Sequence, residues 1–264
     1  MKKYTKANID LTSYLPISVV IPCFNCASTI EFAVKSVLTQ TQLPKEIFLI
    51  DDFSTDQNLT KIKIEKLVSE NNTSIEINAH YLSHNSGPAT TRNKGWDLAT
   101  GKYVAFLDSD DYWHPDKLAT QWVYISKYNK LDILGCNIKS KKLNTSSFIV
   151  ITPFVLLKKN PYFTSSVIVR KDLQFRFPEN SYYSEDFFLW SMIINHKGTL
   201  ALLMNYKVAS NQNKKKGLSS NNFKMLKGEL KVLLYTCRES FNYPIFFIAS
   251  SWSVLKFFKR LFFN

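Results

Sequence analysis

Short apolar runs alternate with segments of helical period along the first half of the chain. Runs rich in β-branched and aromatic residues predict strands at residues 17–21, 46–50, 75–81 and 103–107. Apolar residues at helical spacing, with Ser28 as the first cap, predict helices at residues 28–39, 58–70, 88–100 and 115–128. Strands that alternate with helices in this rhythm are typical of a doubly wound α/β fold. We therefore expect a mainly parallel twisted sheet flanked by helices.

The pattern is less regular after residue 130. Strands are predicted at residues 133–138, 148–151 and 165–170, and helices at residues 182–194, 222–238 and 244–262. Residues 211–222 have neither periodicity nor apolar content, which predicts a mobile loop. We therefore expect one sheet domain at residues 1–205, followed by a basic loop and C-terminal helices at residues 206–264.

Two acidic clusters follow predicted strands: Asp51 with Asp52, and Asp108 with Asp110 and Asp111. Two like charges about 4 Å apart repel by about 4 kcal/mol at an effective dielectric constant of about 20. A solvated turn that caps the next helix is one explanation, and Asp111 suits such a cap. A bound divalent cation is the other, since hard cations prefer carboxylate oxygens. Because ligands of parallel sheets bind beyond the carboxyl ends of the strands, the position of both clusters favours a ligand site.

The chain is strongly basic, and its positive charge is uneven. Its 264 residues include 34 Lys and Arg against 21 Asp and Glu, which gives a net charge of +13. Such an excess indicates an anionic partner: nucleic acid, a phosphorylated ligand or an acidic membrane face. From residue 200 onward there are nine Lys and two Arg against two Glu. No recognised DNA- or RNA-binding motif is present, so we expect no nucleic-acid partner.

The last predicted helix is basic and amphipathic. Ser253, Lys256, Lys259 and Arg260 fall near one face, with apolar residues such as Leu255 largely opposite. Its apolar part is too short to cross a bilayer, whereas a basic amphipathic helix suits the surface of an anionic membrane. Packing of the helix against the sheet domain is the alternative. The first residues of the chain lack the apolar core of a secretory signal, so we expect the protein to stay in the cytoplasm.

Three consecutive cations, Lys214, Lys215 and Lys216, lie in the predicted loop. A solvated charge run is one interpretation of them. The other is a mobile basic segment that closes over a diphosphate, and the sequence leaves both open.

The resemblance to a known family rests on four motifs in a fixed order: VVIPCFN, IDDFSTD, HNSGPATTRNKGWDLATGKYVAFLDSDD and YSEDFFLW. In order and spacing they resemble the inverting family 2 glycosyltransferases of the bacterial surface polysaccharide, or O-antigen, type. Members of that family carry the nucleotide-sugar-binding GT-A fold. The resemblance covers about residues 17–190.

The resemblance implies nucleotide-sugar contacts at six positions: Pro22, Phe24, Asp51, Asp52, Arg92 and Asp108. Among these, Asp52 matches the carboxylate that accepts from the uracil imide, and Arg92 matches a nucleotide-contacting residue on a helix. Asp108 matches the ribose side of a D-x-D pair.

The resemblance also implies the metal site and the catalytic base. Asp110, with Asp108, would ligate Mn²⁺ or Mg²⁺, which stabilises the departing diphosphate. Asp186 matches the general base that takes the proton of the acceptor hydroxyl, and Glu185 is its neighbour in the same motif. A single displacement of this kind inverts the anomeric configuration.

The implied function is transfer of a hexose, with glucose or galactose favoured, from a UDP-sugar to a lipid-linked acceptor. The basic C-terminus and the resemblance favour a polyprenyl-diphosphate-linked sugar such as GlcNAc-diphospho-undecaprenol, used in O-antigen and lipopolysaccharide synthesis. We then expect a peripheral enzyme on the cytoplasmic face of the inner membrane.

Two other classes of protein stay open at this point. A metal-dependent nucleotidyltransferase also places carboxylates at the ends of a parallel sheet. It usually has a Gly-rich phosphate loop after the first strand, which CFNCAST is not. A basic nucleic-acid-binding protein would account for the net charge.

Overall fold

The computed structural model describes residues 14–136, 148–179, 183–205, 209–211, 222–239, 249–251, 253–255 and 257–258. The first elements are β1 (Leu15–Cys23), α1 (Ile30–Leu38), β2 (Pro44–Asp51), α2 (Leu59–Ser69), β3 (Glu76–Tyr81), α3 (Gly87–Leu98) and β4 (Tyr103–Phe106). Next come β5 (Asp111–Trp113), α4 (Lys117–Lys127), β6 (Leu131–Cys136), β7 (Phe148–Val150) and α5 (Pro153–Leu156). A 3₁₀ turn (Thr164–Ser166), β8 (Ile168–Arg170), α6 (Glu185–Asn195), β9 (Leu200–Met204), β10 (Ala209–Asn211) and α7 (Asn222–Glu239) complete the described elements.

Eight of the strands form one twisted sheet, in the order β3-β2-β1-β4-β8-β6-β9-β7. β1 pairs in parallel with β2 and β4, β2 with β3, and β6 with β9. β8 is antiparallel to both of its neighbours, and β7 is antiparallel to β9. β5 and β10 form a separate antiparallel pair. The predicted mainly parallel sheet flanked by helices is confirmed, with β8 as an antiparallel strand in its middle.

The core lies on both faces of this sheet because the strands are buried on both sides. Val19 and Ile21 of β1 point into one apolar cluster, together with residues of α1, α2 and α4. Val20 points into the opposite cluster, which α3 and α6 cover. A Cβ on Gly95 of α3 would lie 2.3 Å from a methyl group of Val20, so only glycine lets α3 approach β1 this closely.

The start of α1 differs from the prediction. Ser28 is predicted as its cap, but the helix begins at Ile30. The carbonyl of Cys26 accepts the N–H groups of both Thr29 (2.9 Å) and Ile30 (3.0 Å), and this turn keeps Ser28 outside the helix.

The strand predicted at residues 165–170 is shorter in the structure. Residues Thr164–Ser166 form a 3₁₀ turn, so β8 begins only at Ile168. The short strand β5 and the strand β9 are not predicted at all. Three residues are too few to show a period in β5, whereas β9 is an apolar run of five residues that follows a turn at Gly198 and does carry the signal of a strand.

The C-terminal helices pack on the sheet domain. The hydroxyl groups of Ser191 on α6 and Thr236 on α7 are 2.7 Å apart, and the rings of Phe188 and Tyr235 are 5.1 Å apart. Further along, Ala249 is buried against α7. The predicted division at residue 205 stays a prediction.

Parts of the last predicted helix are described. Ser253 is buried, whereas Leu255 is 61% exposed. The cations Lys256, Lys259 and Arg260 lie outside the described residues, as do Lys214, Lys215 and Lys216 of the predicted loop. Within the part of the chain that the structure describes, no helix is both long enough and apolar enough to cross a membrane.

Candidate active site

A cavity of about 640 Å³ opens at the carboxyl ends of β1 and β4. The predicted site residues that line it are Pro22, Phe24, Asp52, Arg92, Asp108, Asp110, Glu185 and Asp186. Four motifs that are far apart in the sequence therefore meet at one cavity. Asp51 is the predicted site residue that is not among its lining residues.

Asp51 stabilises the turn that follows β2. Its Oδ1 accepts the hydroxyl of Ser54 at 2.5 Å, and its Oδ2 accepts the N–H of Ser54 at 3.2 Å. The carboxylate is 5% exposed. The role of Asp51 in nucleotide binding stays a prediction, and its contacts in the structure serve the turn.

Asp52 joins the end of β2 to the start of α3. Its Oδ1 accepts the N–H of Ser86 at 2.7 Å, and its Oδ2 accepts the N–H of Gly87 at 2.8 Å. Gly87 has a φ of +84°, which glycine adopts without steric cost. Burial raises the pKa of Asp52, and the two amide hydrogen bonds oppose that shift. Asp52 therefore holds the helix that carries Arg92, while it also lines the cavity.

We expect Asp52→Ala to lower the free energy of unfolding by about 1.5–3 kcal/mol, since hydrogen bonds to a charged acceptor contribute about that much. Urea unfolding followed by circular dichroism measures the change. Asp97→Ala is the control, because Asp97 forms an ion pair with its side chain 62% exposed, and such pairs contribute about 0–1 kcal/mol. An equal loss in both variants would contradict the structural role of Asp52.

Arg92 connects two of the acidic motifs. Its Nη2 donates to Oδ1 of Asp108 at 2.7 Å, and its Nη1 donates to Oε1 of Glu185 at 3.0 Å. The guanidinium lies 5.4 Å from the centre of the Phe177 ring, and the residue is 6% exposed. The predicted contact of Arg92 with the nucleotide stays a prediction. In the structure it is the shared cation of the D-x-D pair and the Glu-Asp pair.

Asp186 is a carboxylate held by three hydrogen bonds. Its Oδ2 accepts from Asn160 Nδ2 (3.0 Å) and from the hydroxyl of Thr164 (3.2 Å), and its Oδ1 accepts the N–H of Phe187 (2.6 Å). Burial raises the pKa of Asp186 above that of an ordinary Asp. Burial also raises the pKa of Glu185, against the opposing charge of Arg92. Asp186 is therefore a fixed carboxylate with an increased affinity for a proton.

The loop after β4 is held by one serine of the 3₁₀ turn. The hydroxyl of Ser165 donates to Oδ2 of Asp111 and accepts the N–H of Asp108 at 3.1 Å. Asp111 is buried and begins β5, whereas α4 begins only at Lys117. The interpretation of Asp111 as a helix cap is therefore wrong. Asp111 instead fixes the position of the D-x-D pair.

The donor set at the D-x-D pair fits a hard cation that a substrate helps to bind. Among the described residues, no group of three or more His, Cys, Asp or Glu side chains is arranged to hold a metal ion. Asp108 and Asp110 line the cavity together, and the side chain of Asp108 is 28% exposed. Mg²⁺ is commonly held by one or two carboxylates together with substrate phosphates. Two carboxylates are sufficient for a site of that kind.

Sequence reasoning missed the residues that position the carboxylates. Asn160 and Thr164 hold Asp186, and Ser165 holds the loop after β4. Asn160 and Thr164 lie in an irregular stretch of sequence without a periodic pattern, and Ser165 is the first residue of the strand predicted at residues 165–170. Asn160 precedes a proline, a signal for a turn, and carries no signal for a catalytic site.

Comparison with known proteins identifies the family. Residues 18–190 match the family model described as Glycosyl transferase family 2. The match covers more than half of the chain, so the chain belongs to glycosyl transferase family 2. The resemblance inferred from the four motifs is confirmed.

Two curated relatives and one solved structure show how far the similarity extends. The putative teichuronic acid biosynthesis glycosyltransferase TuaG of Bacillus subtilis is 41% identical over 112 residues, which are 42% of this chain and 42% of that protein. The UDP-Glc:alpha-D-GlcNAc-diphosphoundecaprenol beta-1,3-glucosyltransferase WfgD of Escherichia coli is 29% identical over 221 residues, 82% of this chain and 85% of that protein. The mannosyltransferase PcManGT from Pyrobaculum calidifontis, solved with GDP-Man and Mn²⁺, superposes with a TM-score of 0.69 at 18% identity, over 96% of this chain and 77% of that one. The last likeness confirms the predicted GT-A fold.

Proposed function

We propose that this chain transfers a hexose from a UDP-sugar to a polyprenyl-diphosphate-linked sugar, with inversion at the anomeric carbon. The observation that carries the proposal is the half-buried carboxylate of Asp186. Three hydrogen bonds fix it in the same cavity as the D-x-D pair of Asp108 and Asp110. An inverting displacement needs a base of this kind beside the attacking hydroxyl, across the sugar from the leaving diphosphate.

The relatives support the choice of substrates. WfgD, which aligns with 82% of this chain, is named for UDP-Glc as donor and GlcNAc-diphosphoundecaprenol as acceptor. TuaG is named as a glycosyltransferase of teichuronic acid biosynthesis. Glucose is therefore our first choice of donor sugar and galactose our second, with GlcNAc-diphospho-undecaprenol as the acceptor.

Different residues of the chain serve different parts of the proposed reaction. Asp186 takes the proton of the acceptor hydroxyl, and its increased pKa makes it a better proton acceptor than an exposed Asp. Arg92 fixes the carboxylate of Asp108 and so orients the nucleotide end of the cavity. Bound Mn²⁺ or Mg²⁺, held by Asp110 and Asp108, would supply positive charge to the departing diphosphate.

We also propose that the enzyme is peripheral to the cytoplasmic face of the inner membrane. Phe223 on α7 is 67% exposed, and Leu255 and Phe258 are 61% and 48% exposed. The ring of Phe223 lies 6.3 Å from that of Phe257, which brings these exposed apolar residues of two helices close together. Aromatic and aliphatic residues beside a basic segment suit the surface of an anionic membrane.

The test is transfer from radiolabelled UDP-sugars to a synthetic GlcNAc-diphospho-lipid, with and without a chelator. We expect UDP-glucose or UDP-galactose to label the lipid. Removal of the metal should slow transfer by about 100-fold or more, because metal-ion charge stabilisation is worth several kcal/mol. Added Mn²⁺ or Mg²⁺ should restore the rate, and the product should have the inverted anomeric configuration by NMR.

The alternatives give different results in the same assay. Pyrophosphate exchange without sugar transfer would indicate a nucleotidyltransferase, and retention on nucleic acid without transfer would indicate a nucleic-acid-binding protein. Transfer at full speed after chelation, with no gain on adding a metal, would remove the proposed role of Asp110.

A further inference from the structure

A second cavity, of about 170 Å³, has residues in its lining that are close in sequence to residues lining the active-site cavity. Its lining residues are Leu156, Leu157, Lys158, Lys159, Asn160, Phe187, Glu229, Leu233 and Ser253. Asn160 is one of these lining residues, and its Nδ2 donates to Oδ2 of Asp186 at 3.0 Å. The volume is much larger than one water molecule needs. We call this space the second cavity.

The second cavity is a neighbour of the active-site cavity, because three segments of the chain contribute residues to both linings. The segment after α5 contributes Asn160 to the second cavity and Thr164 to the active site. At the start of α6, Phe187 lines the second cavity and Asp186 lines the active site.

The third segment is α7. Met225, which lines the active site, is four residues from Glu229, which lines the second cavity. Residues four apart lie on the same face of a helix, so one face of α7 runs along both spaces. A ligand that reaches Asp186 from the second cavity would therefore stay in contact with α7.

The chemistry of the second cavity suits a phosphorylated sugar. Lys158 and Lys159 are exposed at the cavity, and the ammonium of Lys158 lies 4.7 Å from the centre of the Phe154 ring. The lining contains two lysines and one carboxylate, Glu229, so its net charge is positive, which suits a phosphate. Glu229 and Ser253 offer groups that hydrogen-bond sugar hydroxyls.

We propose that the second cavity is the acceptor subsite, and that Lys158 and Lys159 bind the diphosphate of the acceptor while its sugar hydroxyl reaches Asp186. This inference rests on the proposed function and adds the place and the residues of acceptor recognition. The donor and acceptor then approach Asp186 from different sides. A direct displacement requires the acceptor hydroxyl to attack the anomeric carbon from the face opposite the departing diphosphate.

The test compares two acceptors that carry the same sugar: a GlcNAc-diphospho-lipid and a neutral alkyl glycoside of GlcNAc. In Lys158→Ala and Lys159→Ala, we expect the KM for the diphosphate acceptor to rise about tenfold or more, as the loss of one charge-assisted contact predicts. The KM for the UDP-sugar and the rate with the neutral glycoside should not change. Lys197→Ala is the matched control, since Lys197 is also exposed but follows the opposite end of α6 from Asp186.

The outcomes separate this inference from the proposed function. A wild-type KM for the diphosphate acceptor in both lysine variants overturns the subsite while transfer itself stands. Wild-type enzyme that transfers to neither acceptor overturns the proposed function and the subsite with it. Binding to phosphatidylglycerol vesicles without acceptor provides the last comparison. If the lysine variants bind the vesicles more weakly while their KM for the diphosphate acceptor is unchanged, the two lysines contact lipid headgroups and the inference is overturned.

Discussion

Asp186→Asn is expected to lower kcat by about 10²–10⁴-fold, the contribution typical of a general base. Asparagine has nearly the same shape but cannot take the proton of the acceptor hydroxyl. The hydrogen bond from the Phe187 N–H, at 2.6 Å, can still be made to the amide oxygen. Affinity for the UDP-sugar should therefore be retained, and isothermal titration calorimetry and steady-state kinetics measure the two quantities separately.

The neighbouring carboxylate provides the control for this variant. Glu185 is bonded to Arg92 rather than held by Asn160 and Thr164. We expect Glu185→Gln to reduce kcat much less than Asp186→Asn does. The reverse order would move the role of base from Asp186 to Glu185.

The pH profile tests the same assignment. Asp186 must be deprotonated to act as the base, and burial raises its pKa above the ordinary value of about 3.9. The rate of the wild-type enzyme should therefore rise with pH and level off at a higher pH than an ordinary Asp would give. The fall of the rate at low pH should be absent from the residual activity of Asp186→Asn. If the same fall is seen in that variant, another group causes it.

Arg92→Gln is expected to lower the free energy of unfolding by about 3–5 kcal/mol, which is the usual cost of breaking a buried ion pair by removing one partner. The variant leaves Asp108 and Glu185 without their shared cation, and the side chain of Glu185 is 12% exposed. Arg92→Lys should recover only part of the loss, because an ammonium lacks the planar fork that reaches both carboxylates. Urea unfolding measures these changes.

A second substitution shows whether the unpaired charge causes the loss. Adding Glu185→Gln to Arg92→Gln should restore part of the stability, because one of the two uncompensated carboxylates is removed. Lys35→Gln is the control, since Lys35 pairs with Glu31 on an exposed face, where solvent screens the pair and its loss should be small. A loss in Arg92→Gln as small as in the control would contradict the role of Arg92 as a buried link.

The first half of the fold could be read from the sequence because its signals are local. The strands β1, β2 and β4 are apolar runs, and glycine or proline residues mark several of the boundaries between elements. The clusters around Asp52 and Asp108 could be placed together because the carboxyl ends of parallel strands meet at one edge of a sheet.

The links between these clusters could not be read in the same way. Arg92 bonds to Glu185, 93 residues further along the chain, and no periodic pattern records such a contact. The same holds for Asn160, because its amide reaches Asp186 only through the packing of α5 against α6. The antiparallel direction of β8 depends on how the chain returns to the sheet and not on the apolar character of its three residues.

The position of β8 divides the enzyme into two halves. On one side lie the parallel strands that position Asp52 and Asp108; on the other lie β6, β9 and β7. The two halves meet through the main-chain pairing of β8 and also through side chains, among them the ion pairs of Arg92 with Asp108 and Glu185. A displacement of Glu185 on α6 would therefore be passed through Arg92 to Asp108 in the first half, so the two halves cannot vary independently.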